Sequence, residues 1–400
     1  MFTFSAIAEA VICLGYLLCI EKVGAGKDSD MKSVYLLKKG LQHYPPCLFE
    51  VLTLSDAGKS FAVYHGKNTP YIDALLDARG IEHHTLLSDK NPDNEKLSKL
   101  NRVKLFLEYA KEARGLVSRI PEKTALWLGN AETAAPLSPR FFEKRHSVFS
   151  VLELYKKGEY LDRRLSLLLP LASSVLAREP HRASLMRLRY GLRETPFVAE
   201  NKPYDRILTP PPPLPSDVLE NITLKKEERM ILYQGIVSPD RPLDTVAAAL
   251  QDIGDRRNIL FVLGRADDSE KKRLLSLWRN TRFLGYIPAP LHLAVTARAA
   301  LGIAFYDYFS ENNLFCAPNK IYEYARFGVP MLASANPGLT ETVGAYGAGV
   351  CVDLYNISSV RDAILAILSD RYTYEVGARR MYRETKPEKA ILAAASRAKI

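Results

Sequence analysis

The sequence predicts an α/β protein with two parallel-sheet domains that face each other across a cleft. Short runs of β-branched and aromatic residues alternate with longer amphipathic runs, which is the pattern of strands and crossover helices in a parallel sheet. A proline-rich segment interrupts this alternation once, after which it resumes. The length of 400 residues also suits two domains better than one.

The first half of the chain predicts a sheet built from at least five strands. We expect them at 33–38, 61–66, near His84, at 125–130 and at 147–154. Helical patterns lie between them, for example at 45–58, where two prolines start the pattern and Gly58 ends it. A second helix is expected in the charged stretch 95–119. These segments predict a domain at 31–206.

The prolines at 210–213 and 215 predict a stiff connector at 207–217, because such a run cannot lie inside a helix or a central strand. The alternation then restarts in a second domain at 218–385, followed by a final helix at 386–400. Strands of the second domain are expected at 229–237, 258–264, 281–286, 300–307, 330–334 and 349–354. In two such sheets the carboxyl ends of the strands line the ligand cleft.

Residues 1–30 form an extension with one strongly apolar run. Glu9 splits this run, so it is too short for the roughly 20 apolar residues of a spanning helix. It also lacks the basic start and small-residue cleavage site of a secretory signal. An interfacial helix, a misplaced start codon and a helix on the protein surface remain open.

The composition excludes several classes of protein. A net charge of +10 permits binding to nucleic acid, anionic lipid or phosphorylated small molecules, but no groove-reading or base-stacking motif accompanies the charge, so we expect no nucleic acid. Neither half carries GxGxxG after its first strand, so no dinucleotide cofactor is expected. The five cysteines are scattered without a CxxC pair, which predicts no disulfide frame or zinc cluster and favours the cytoplasm.

Charge is concentrated at 140–206, where basic residues exceed acidic ones by 14 to 8. Within it, 161–193 combines apolar runs with repeated arginines. One interpretation is a surface that rests on an anionic membrane. The favoured alternative is a solvated helix pair whose apolar face packs on the core.

Residues 308–343 carry the strongest chemical signal. Pro318 and Asn319 end a loop and start a short helix, with Asn319 as the predicted N-cap, and Gly328 closes that helix. The helix N-terminus is a natural seat for a diphosphate, and Lys320 adds a full charge there. Glu323, one turn further, is placed to accept hydrogen bonds from a ribose. Alternatively, Glu323 only complements the helix dipole and Lys320 is a solvated charge.

Residues 323–330, read as Glu, Tyr, Ala, Arg, Phe, Gly, Val and Pro, resemble the donor-binding motif of GT-B glycosyltransferases. The resemblance is to the retaining family 4 (group 1), in particular its PNK-x-x-E-Y subgroup. Residues 232–246 are similar to that family's first strand and phosphate loop, 283–288 to its F-x-G-x-[IV]-P turn, and 336–353 to its G-x-x-E loop and following strand. Four matches in order, across about 120 residues, are more specific than any one of them.

The resemblance implies roles for individual residues. Glu323 would hold the nucleotide ribose, and Arg241 and Lys320 would neutralise the diphosphate. The remaining donor-side residues implied are Gly235, Asn319, Gly338 and Glu341.

Two positions depart from the family pattern. Many members have a second Glu eight residues before the ribose Glu, where this chain has Phe315. Glu311 and Asn312 are the nearby replacements, at a different spacing. An Arg often follows the phosphate-loop Gly, where this chain has Ile236. These differences leave the sugar open and admit a weakened or inactive enzyme.

Acceptor-side candidates follow the strands of the first domain. His43 lies in the turn after the first strand, His65 closes the second on the same side, and Asn130 follows the fourth. Glu153 matches a Glu that commonly ends a strand in this family. For the two histidines, an ordinary loop residue is the alternative.

The expected function is retaining, metal-independent transfer of a sugar from a nucleotide-diphosphate donor to a saccharide or lipid-linked saccharide. No cofactor is expected. Such enzymes build polysaccharides of the bacterial cell envelope, which predicts a cytoplasmic protein, in some cases at the inner face of the membrane. A sugar-nucleotide epimerase or hydrolase, and a non-catalytic GT-B subunit, are the competing hypotheses.

Overall fold

The structure, a computed structural model, describes residues 33–86, 98–205, 213–239 and 241–400. The whole extension 1–30 and the linker residues 206–212 therefore lie outside the described residues. The chain forms one parallel sheet of seven strands and a second of six. The strands of the first sheet are β1 (Ser33–Leu36), β2 (Ala62–His65), β3 (Glu82–Thr85), β4 (Ala125–Leu128), β5 (Ser147–Ser150), β6 (Ser174–Ala177) and β7 (Phe197–Val198). Those of the second are β8 (Arg229–Gln234), β9 (Asn258–Leu263), β10 (Thr281–Gly285), β11 (Leu301–Ala304), β12 (Met331–Ser334) and β13 (Gly349–Val352).

Helices connect the strands and cover both faces of each sheet. In the first half they are α1 (Pro45–Asp56), α2 (Pro70–Asp77), α3 (Lys99–Arg119), α4 (Ala131–Ala134), α5 (Tyr160–Leu168) and α6 (Pro180–Tyr190). In the second half they are α7 (Ser216–Asn221), α8 (Asp244–Ile253), α9 (Asp268–Leu277), α10 (Leu293–Thr296), α11 (Glu311–Leu314), α12 (Asn319–Phe327), α13 (Pro337–Leu339), α14 (Ile357–Ser369), α15 (Arg371–Glu384) and α16 (Pro387–Arg397). Short 3-10 turns lie at Leu41–His43, Pro139–Phe141 and Leu169–Leu171, and a π-helical turn at Thr340–Gly344.

The two sheets share one topology. Their orders are β3-β2-β1-β4-β5-β6-β7 and β10-β9-β8-β11-β12-β13, and every neighbouring pair is parallel. In each sheet the order reverses beside the first strand, between β1 and β4 and between β8 and β11. Ligands of open α/β sheets bind at such a switch point, outside the carboxyl ends of the strands.

The central strands of each sheet are buried on both faces. Along β1, Val34 and Leu36 belong to one apolar cluster and Tyr35 to another. Along β8, Leu232 and Tyr233 divide in the same way. Strands covered on both faces read as continuous apolar runs, which is typical of parallel sheets.

The predicted fold is confirmed, and the first sheet has two strands, β6 and β7, beyond the five expected positions. All six strands expected in the second half are present, most ending a residue or more earlier than predicted. In 161–193 the two helices of the favoured interpretation are present as α5 and α6, but β6 lies between them and was not predicted. Its four residues are all buried. A short, fully buried strand beside a leucine-rich run cannot be told from a helix by periodicity alone.

The predicted final helix is α16, and it packs on the first domain. Ile391, Ala394 and Ala395 of α16 join the apolar cluster of that domain. The Ser174 hydroxyl donates a hydrogen bond of 3.2 Å to the Ala394 carbonyl. The chain thus crosses to the second domain and returns to cover the first sheet.

A carboxylate lies at the centre of the first domain. Glu50 and Arg178 form an ion pair whose side chains are 0% and 1% exposed. The Glu50 carboxylate also accepts hydrogen bonds from Tyr35 Oη at 2.6 Å, Trp127 Nε1 at 3.0 Å and Ser150 Oγ at 2.8 Å. These bonds compensate a charge that would otherwise be very costly to bury.

Across the described ranges, none of the helices has the length and apolar character needed to cross a membrane.

Candidate active site

A glycine turn follows β8 at the carboxyl edge of the second sheet. Gly235 has a φ of 132°, in the region that favours glycine. A Cβ atom on Gly235 would lie 3.4 Å from Nζ of Lys320. On Gly264, which follows β9, a Cβ would lie only 2.0 Å from the Gly235 carbonyl oxygen. The two turns therefore pack backbone against backbone, and Gly235 contacts Lys320 on its other side.

Lys320 is held at the start of α12, which points at this edge. The N-cap of α12 is Pro318, and no side chain caps the helix. The prediction that Asn319 is the N-cap is wrong by one residue, because Asn319 is already the first helical residue. Gly328 ends the helix with a φ of 69°, as predicted. The first N–H groups of a helix have no partner within it, so the positive end of α12 faces the Gly235 turn.

Two cations flank one aromatic ring beside this turn. Lys320 Nζ lies 4.4 Å from the centroid of the Tyr233 ring and 5.1 Å from that of Tyr306. The Arg241 guanidinium lies 5.2 Å from the Tyr306 centroid. Burial raises the pKa of the Tyr306 phenol, so the ring system between the cations stays neutral. The structure thus brings together Gly235, Arg241 and Lys320, as predicted, in an electropositive pocket edge suited to an anion.

Glu323 lies one helical turn below Lys320 and is buried. Its carboxylate accepts a 2.8 Å hydrogen bond from Gln234 Nε2 and lies 3.2 Å from His292 Nε2. Burial raises the pKa of Glu323, but His292, Lys320 and the Gln234 hydrogen bond together bring it below its ordinary value. Glu323 is therefore an ionised carboxylate in a fixed position, with lone pairs left to accept further hydrogen bonds.

Sequence reasoning missed the residues that hold Glu323. Gln234 is itself oriented by the Thr296 hydroxyl, which donates a 2.5 Å hydrogen bond to Gln234 Oε1. His292 Nδ1 is buried and has no hydrogen-bond partner among the described residues. Gln234 ends β8 directly before Gly235, and this position beside the Gly235 turn is its only sequence signal as a site residue. His292 and Thr296 come from a loop and a short helix that carry no motif.

The loop before α12 is fixed by the first domain. Arg182 of α6 donates to the Phe315 carbonyl at 2.5 Å and to the Asn312 carbonyl and Oδ1 at 2.8 Å. The Phe315 ring stacks on His181, with centroids 5.5 Å apart. Asn201 Nδ2 donates a 2.6 Å bond to the Ala317 carbonyl. Position 315 is thus an aromatic contact between the domains.

Three further donor-side candidates contact the first domain. Glu311 forms an ion pair with Arg189 of α6. The Glu341 carboxylate is exposed and lies 3.4 Å from His181 Nε2. A Cβ on Gly338 would lie 3.2 Å from Cγ of Glu179. Glu311 and Glu341 thus pair with side chains of the first domain, and Gly338 lies between Cys316 of the second domain and Glu179 of the first.

A polar group lies at the carboxyl ends of β1 and β4. Asn130 is buried and caps α4 by accepting a 2.8 Å bond from the Thr133 amide. Lys38 Nζ lies 3.2 Å from the Glu132 carboxylate. Burial and then Glu132 raise the pKa of Tyr44, whereas a hydrogen bond with Asn130 lowers it. Asn130 thus belongs to one polar cluster with Lys38, Tyr44 and Glu132 on the first domain.

The other acceptor-side candidates lie at different places. Glu153 is exposed and precedes Leu154, whose amide is bound by Asn312 Oδ1 at 3.0 Å, so it stands at the junction with the second domain. His43 is exposed beside Gln42. His65 is buried, which lowers its pKa. It ends β2 on a covered face of the sheet, where it contacts His83 of the edge strand.

The architecture matches solved structures of the GT-B fold. Anabaena HepE in complex with UDP and glucose shares 15% sequence identity at a TM-score of 0.60, over 92% of this chain and 98% of that one. Sucrose-phosphate synthase from Thermosynechococcus elongatus shares 14% sequence identity at a TM-score of 0.60, over 92% of this chain and 96% of that one. A Listeria monocytogenes protein described as a candidate UDP-N-acetylglucosamine 2-epimerase shares 12% sequence identity at a TM-score of 0.58, over 91% of this chain and 96% of that one. At these identities the likeness defines the fold.

The family match comes from the second domain. Residues 217–388 match the family model for glycosyl transferases group 1. This segment contains the Gly235 turn, both cations and Glu323. The second domain thus resembles glycosyl transferases of group 1, and the chain as a whole has the GT-B fold. No curated protein shows significant sequence similarity to it.

Proposed function

We propose that this protein transfers a sugar from a nucleotide-diphosphate sugar to a saccharide or a lipid-linked saccharide, with retention of anomeric configuration and without a catalytic metal. One observation carries the proposal. Arg241 and Lys320 flank the Tyr306 ring beside the Gly235 turn, at the positive end of α12. This is an arrangement for the two phosphates of a donor.

The cations have a catalytic as well as a binding role. When the bond between the anomeric carbon and the diphosphate breaks, negative charge grows on the leaving phosphate. Arg241, Lys320 and the first amides of α12 are already aimed at that charge, so little reorganisation is needed. The acceptor hydroxyl attacks the anomeric carbon and its proton passes to a phosphate oxygen of the departing nucleotide. This route needs no second carboxylate as a base.

Glu323 binds the nucleoside part of the donor. Its carboxylate is ionised and oriented by Gln234 and His292, which leaves lone pairs for the two hydroxyls of a ribose. The distance of one helical turn from Lys320 matches the step from a ribose to its diphosphate. His292 Nδ1 offers a further buried polar atom beside the same carboxylate.

The acceptor binds on the first domain. The cluster of Lys38, Tyr44, Asn130 and Glu132 lies at the switch point of the first sheet, and Glu153 stands at the domain junction. Hydroxyl-rich ligands are recognised by such mixed donors and acceptors. We assign no acceptor role to His43, which is exposed in the turn after β1.

A lipid-linked acceptor, and with it a role in building envelope polysaccharides, is supported by exposed leucines near arginines in α5 and α6. Leu188 is 80% and Leu167 55% exposed, and the exposed Arg187 and Arg163 lie beside them in sequence. Apolar side chains among arginines bind anionic membrane surfaces. The protein would then work in the cytoplasm, at the inner face of the membrane.

A panel of nucleotide sugars tests the proposal. A ligand that binds only the folded protein raises its melting temperature. Since HepE was solved with UDP and glucose, UDP-sugars come first, followed by GDP-, ADP- and TDP-sugars. We expect one nucleotide to stabilise the wild type and to leave Arg241→Ala and Lys320→Ala unchanged. Stabilisation in both variants would contradict the assigned site.

Product analysis separates the competing functions. Nucleotide diphosphate released only with an acceptor supports transfer. Release or isomerisation of the sugar without an acceptor would indicate a hydrolase or an epimerase instead. Folded protein that binds none of the nucleotide sugars would favour a non-catalytic GT-B subunit, for which Phe315 and Ile236 are the supporting departures.

A further inference from the structure

Three potential metal ligands meet at the edge of the first sheet, away from the donor site. His65 ends β2, His83 lies in the neighbouring edge strand β3, and Asp73 lies in the first turn of α2. One nitrogen of each ring and one oxygen of Asp73 all lie within 4.8 Å of one another. The His65 Nε2 to His83 Nδ1 distance is 3.1 Å, and that from His83 Nδ1 to Asp73 Oδ1 is 3.8 Å.

The hydrogen bonds of the two rings fix where their protons are. His65 Nδ1 lies 2.6 Å from the Gly66 carbonyl oxygen. His83 Nε2 lies 3.1 Å from Oδ1 of Asp77. A carbonyl or carboxylate oxygen can only accept, so each of these nitrogens carries the proton of its ring. In neutral rings, His65 Nε2 and His83 Nδ1 therefore each carry a lone pair and no proton, and the two nitrogens lie next to each other.

Two facing lone pairs repel unless a cation lies between them. Asp73 Oδ1, beside the same two nitrogens, adds a negative charge. Asn68 Nδ2 contributes donors to His65 Nε2 at 3.2 Å and to Asp73 Oδ1 at 2.9 Å, which confirms that both atoms act as acceptors. The described hydrogen bonds of Asn68 reach His65 and Asp73 but not His83 Nδ1, the third acceptor of the group.

We propose that His65 Nε2, His83 Nδ1 and Asp73 Oδ1 bind one divalent transition-metal ion of the zinc type. Two imidazoles and a carboxylate are a donor set that Zn²⁺ prefers. Zn–N bonds of about 2.0–2.1 Å in a tetrahedron place two ligand nitrogens about 3.3 Å apart, close to the 3.1 Å found. The fourth position is left to water, since Asp73 is partly exposed.

The surroundings match those of ligating histidines. A metal-bound imidazole commonly donates its other N–H to a backbone carbonyl or a carboxylate, which orients the ring and increases its basicity. His65 Nδ1 donates to the Gly66 backbone carbonyl, and His83 Nε2 donates to the Asp77 carboxylate. Only a ligand between the rings makes use of both arrangements at once.

The metal would brace the loop that carries His43 and Tyr44. Asn68 Oδ1 accepts a 2.8 Å bond from the Leu41 amide, and Gln42 Nε2 donates 3.0 Å to the Lys67 carbonyl. An ion that fixes His65 and Asp73 also fixes Asn68 between them. The site is therefore structural, and it is independent of the proposed donor site.

Zinc titration of the full chain tests this inference. After treatment with EDTA and dialysis, Zn²⁺ is titrated by calorimetry and the melting temperature is followed. We expect one Zn²⁺ per chain and a higher melting temperature with zinc than without. Co²⁺ should give the intense visible absorption of a tetrahedral site.

Variants locate the ion. His83→Ala changes a partly exposed ring and should abolish stoichiometric binding, while Asp77→Asn, which alters only the partner of His83, should weaken it about 10- to 100-fold. His84→Ala is the matched control, because His84 is adjacent but exposed and pairs with Glu82. Nucleotide binding should be the same in all three.

Two results would overturn the inference. Wild-type protein that takes up no zinc would show that the two rings share a proton instead. Equal zinc binding by His83→Ala and His84→Ala would show that the metal binds adventitiously at surface side chains. His83→Ala retains His65 in the core, so a folded variant is expected, and its metal-free melting temperature verifies this.

Discussion

Gly235 and Lys320 lie directly against each other at the edge of the second sheet, with 3.4 Å between the Lys320 ammonium and the place of a Cβ at Gly235. One residue follows β8 and the other opens α12, so 85 positions of chain separate them. Their contact joins a backbone turn that only glycine makes easily to a fixed positive charge. Under the proposed function, a diphosphate bound on this turn would lie beside the lysine ammonium.

A methyl group at Gly235 is therefore expected to weaken donor binding. In Gly235→Ala the φ of 132° becomes strained, at a cost of order 1–3 kcal/mol, and the added carbon approaches Lys320. The dissociation constant for the stabilising nucleotide should rise about tenfold or more by calorimetry. Gly254→Ala is the control, since Gly254 also has a positive φ but open space around it. It should lose stability and keep its affinity; equal affinity losses in the two variants would contradict the proposed role.

Removal of either cation should affect the phosphates more than the nucleoside. We expect Lys320→Met and Arg241→Met each to weaken binding of the nucleoside diphosphate by about 1–3 kcal/mol, the range for a charge-assisted hydrogen bond. Binding of the free nucleoside should change little. The comparison is made by calorimetry, with Lys271→Met, an exposed surface change, as control. A loss that is the same for nucleoside and nucleotide would place the cations elsewhere than at the phosphates.

Glu323 predicts a specific dependence of stability on pH. Its pKa in the folded protein lies below the ordinary 4.5, so the ionised form is stabilised by folding. This contribution is fully present above pH 4.5 and is lost as the pH falls through the folded pKa. Urea unfolding between pH 7 and pH 3 should therefore show a shallower acid decline for Glu323→Gln than for wild type. Glu122→Gln, at an exposed position, corrects for the loss of one charge; parallel acid declines in wild type and Glu323→Gln would refute the prediction.

Breaking the buried ion pair of the first domain should lower the free energy of unfolding far more than breaking a surface pair. Arg178→Met leaves the Glu50 carboxylate uncompensated in the core, which is expected to lower the free energy of unfolding by about 3–5 kcal/mol. Arg361→Met breaks the exposed pair with Asp252 and should cost about 0–1 kcal/mol. Both values come from urea unfolding at neutral pH. Similar losses would mean that water reaches Glu50.

The features that could be predicted from the sequence are local ones. Gly235, Lys320 and Glu323 could be predicted because a strand, a glycine turn and a helix start each depend on a few consecutive residues. Once the sheet order is known, the carboxyl ends of β8 and β11 bring these segments together. The alternation of strands and helices likewise predicted both sheets.

The features that could not be predicted depend on distant segments. His292 reaches Glu323 from a loop with no motif, and Arg182 grips the backbone of Asn312 and Phe315 from the other domain. Backbone carbonyls carry no sequence signal, so nothing marked their partner. The buried position of His65 follows from the edge strand β3, whose three polar residues, Glu82, His83 and His84, gave a weak strand pattern.

The return of α16 has a consequence for the order of events during protein synthesis. The ribosome makes all of β1 to β7 nearly 200 residues before it makes Ile391 and Ala394, which cover that sheet. Until then the apolar face between β6 and α1 stays open to water or to chaperones. The first half of the chain can thus begin to fold early but acquires its final core only after the second half has left the exit tunnel.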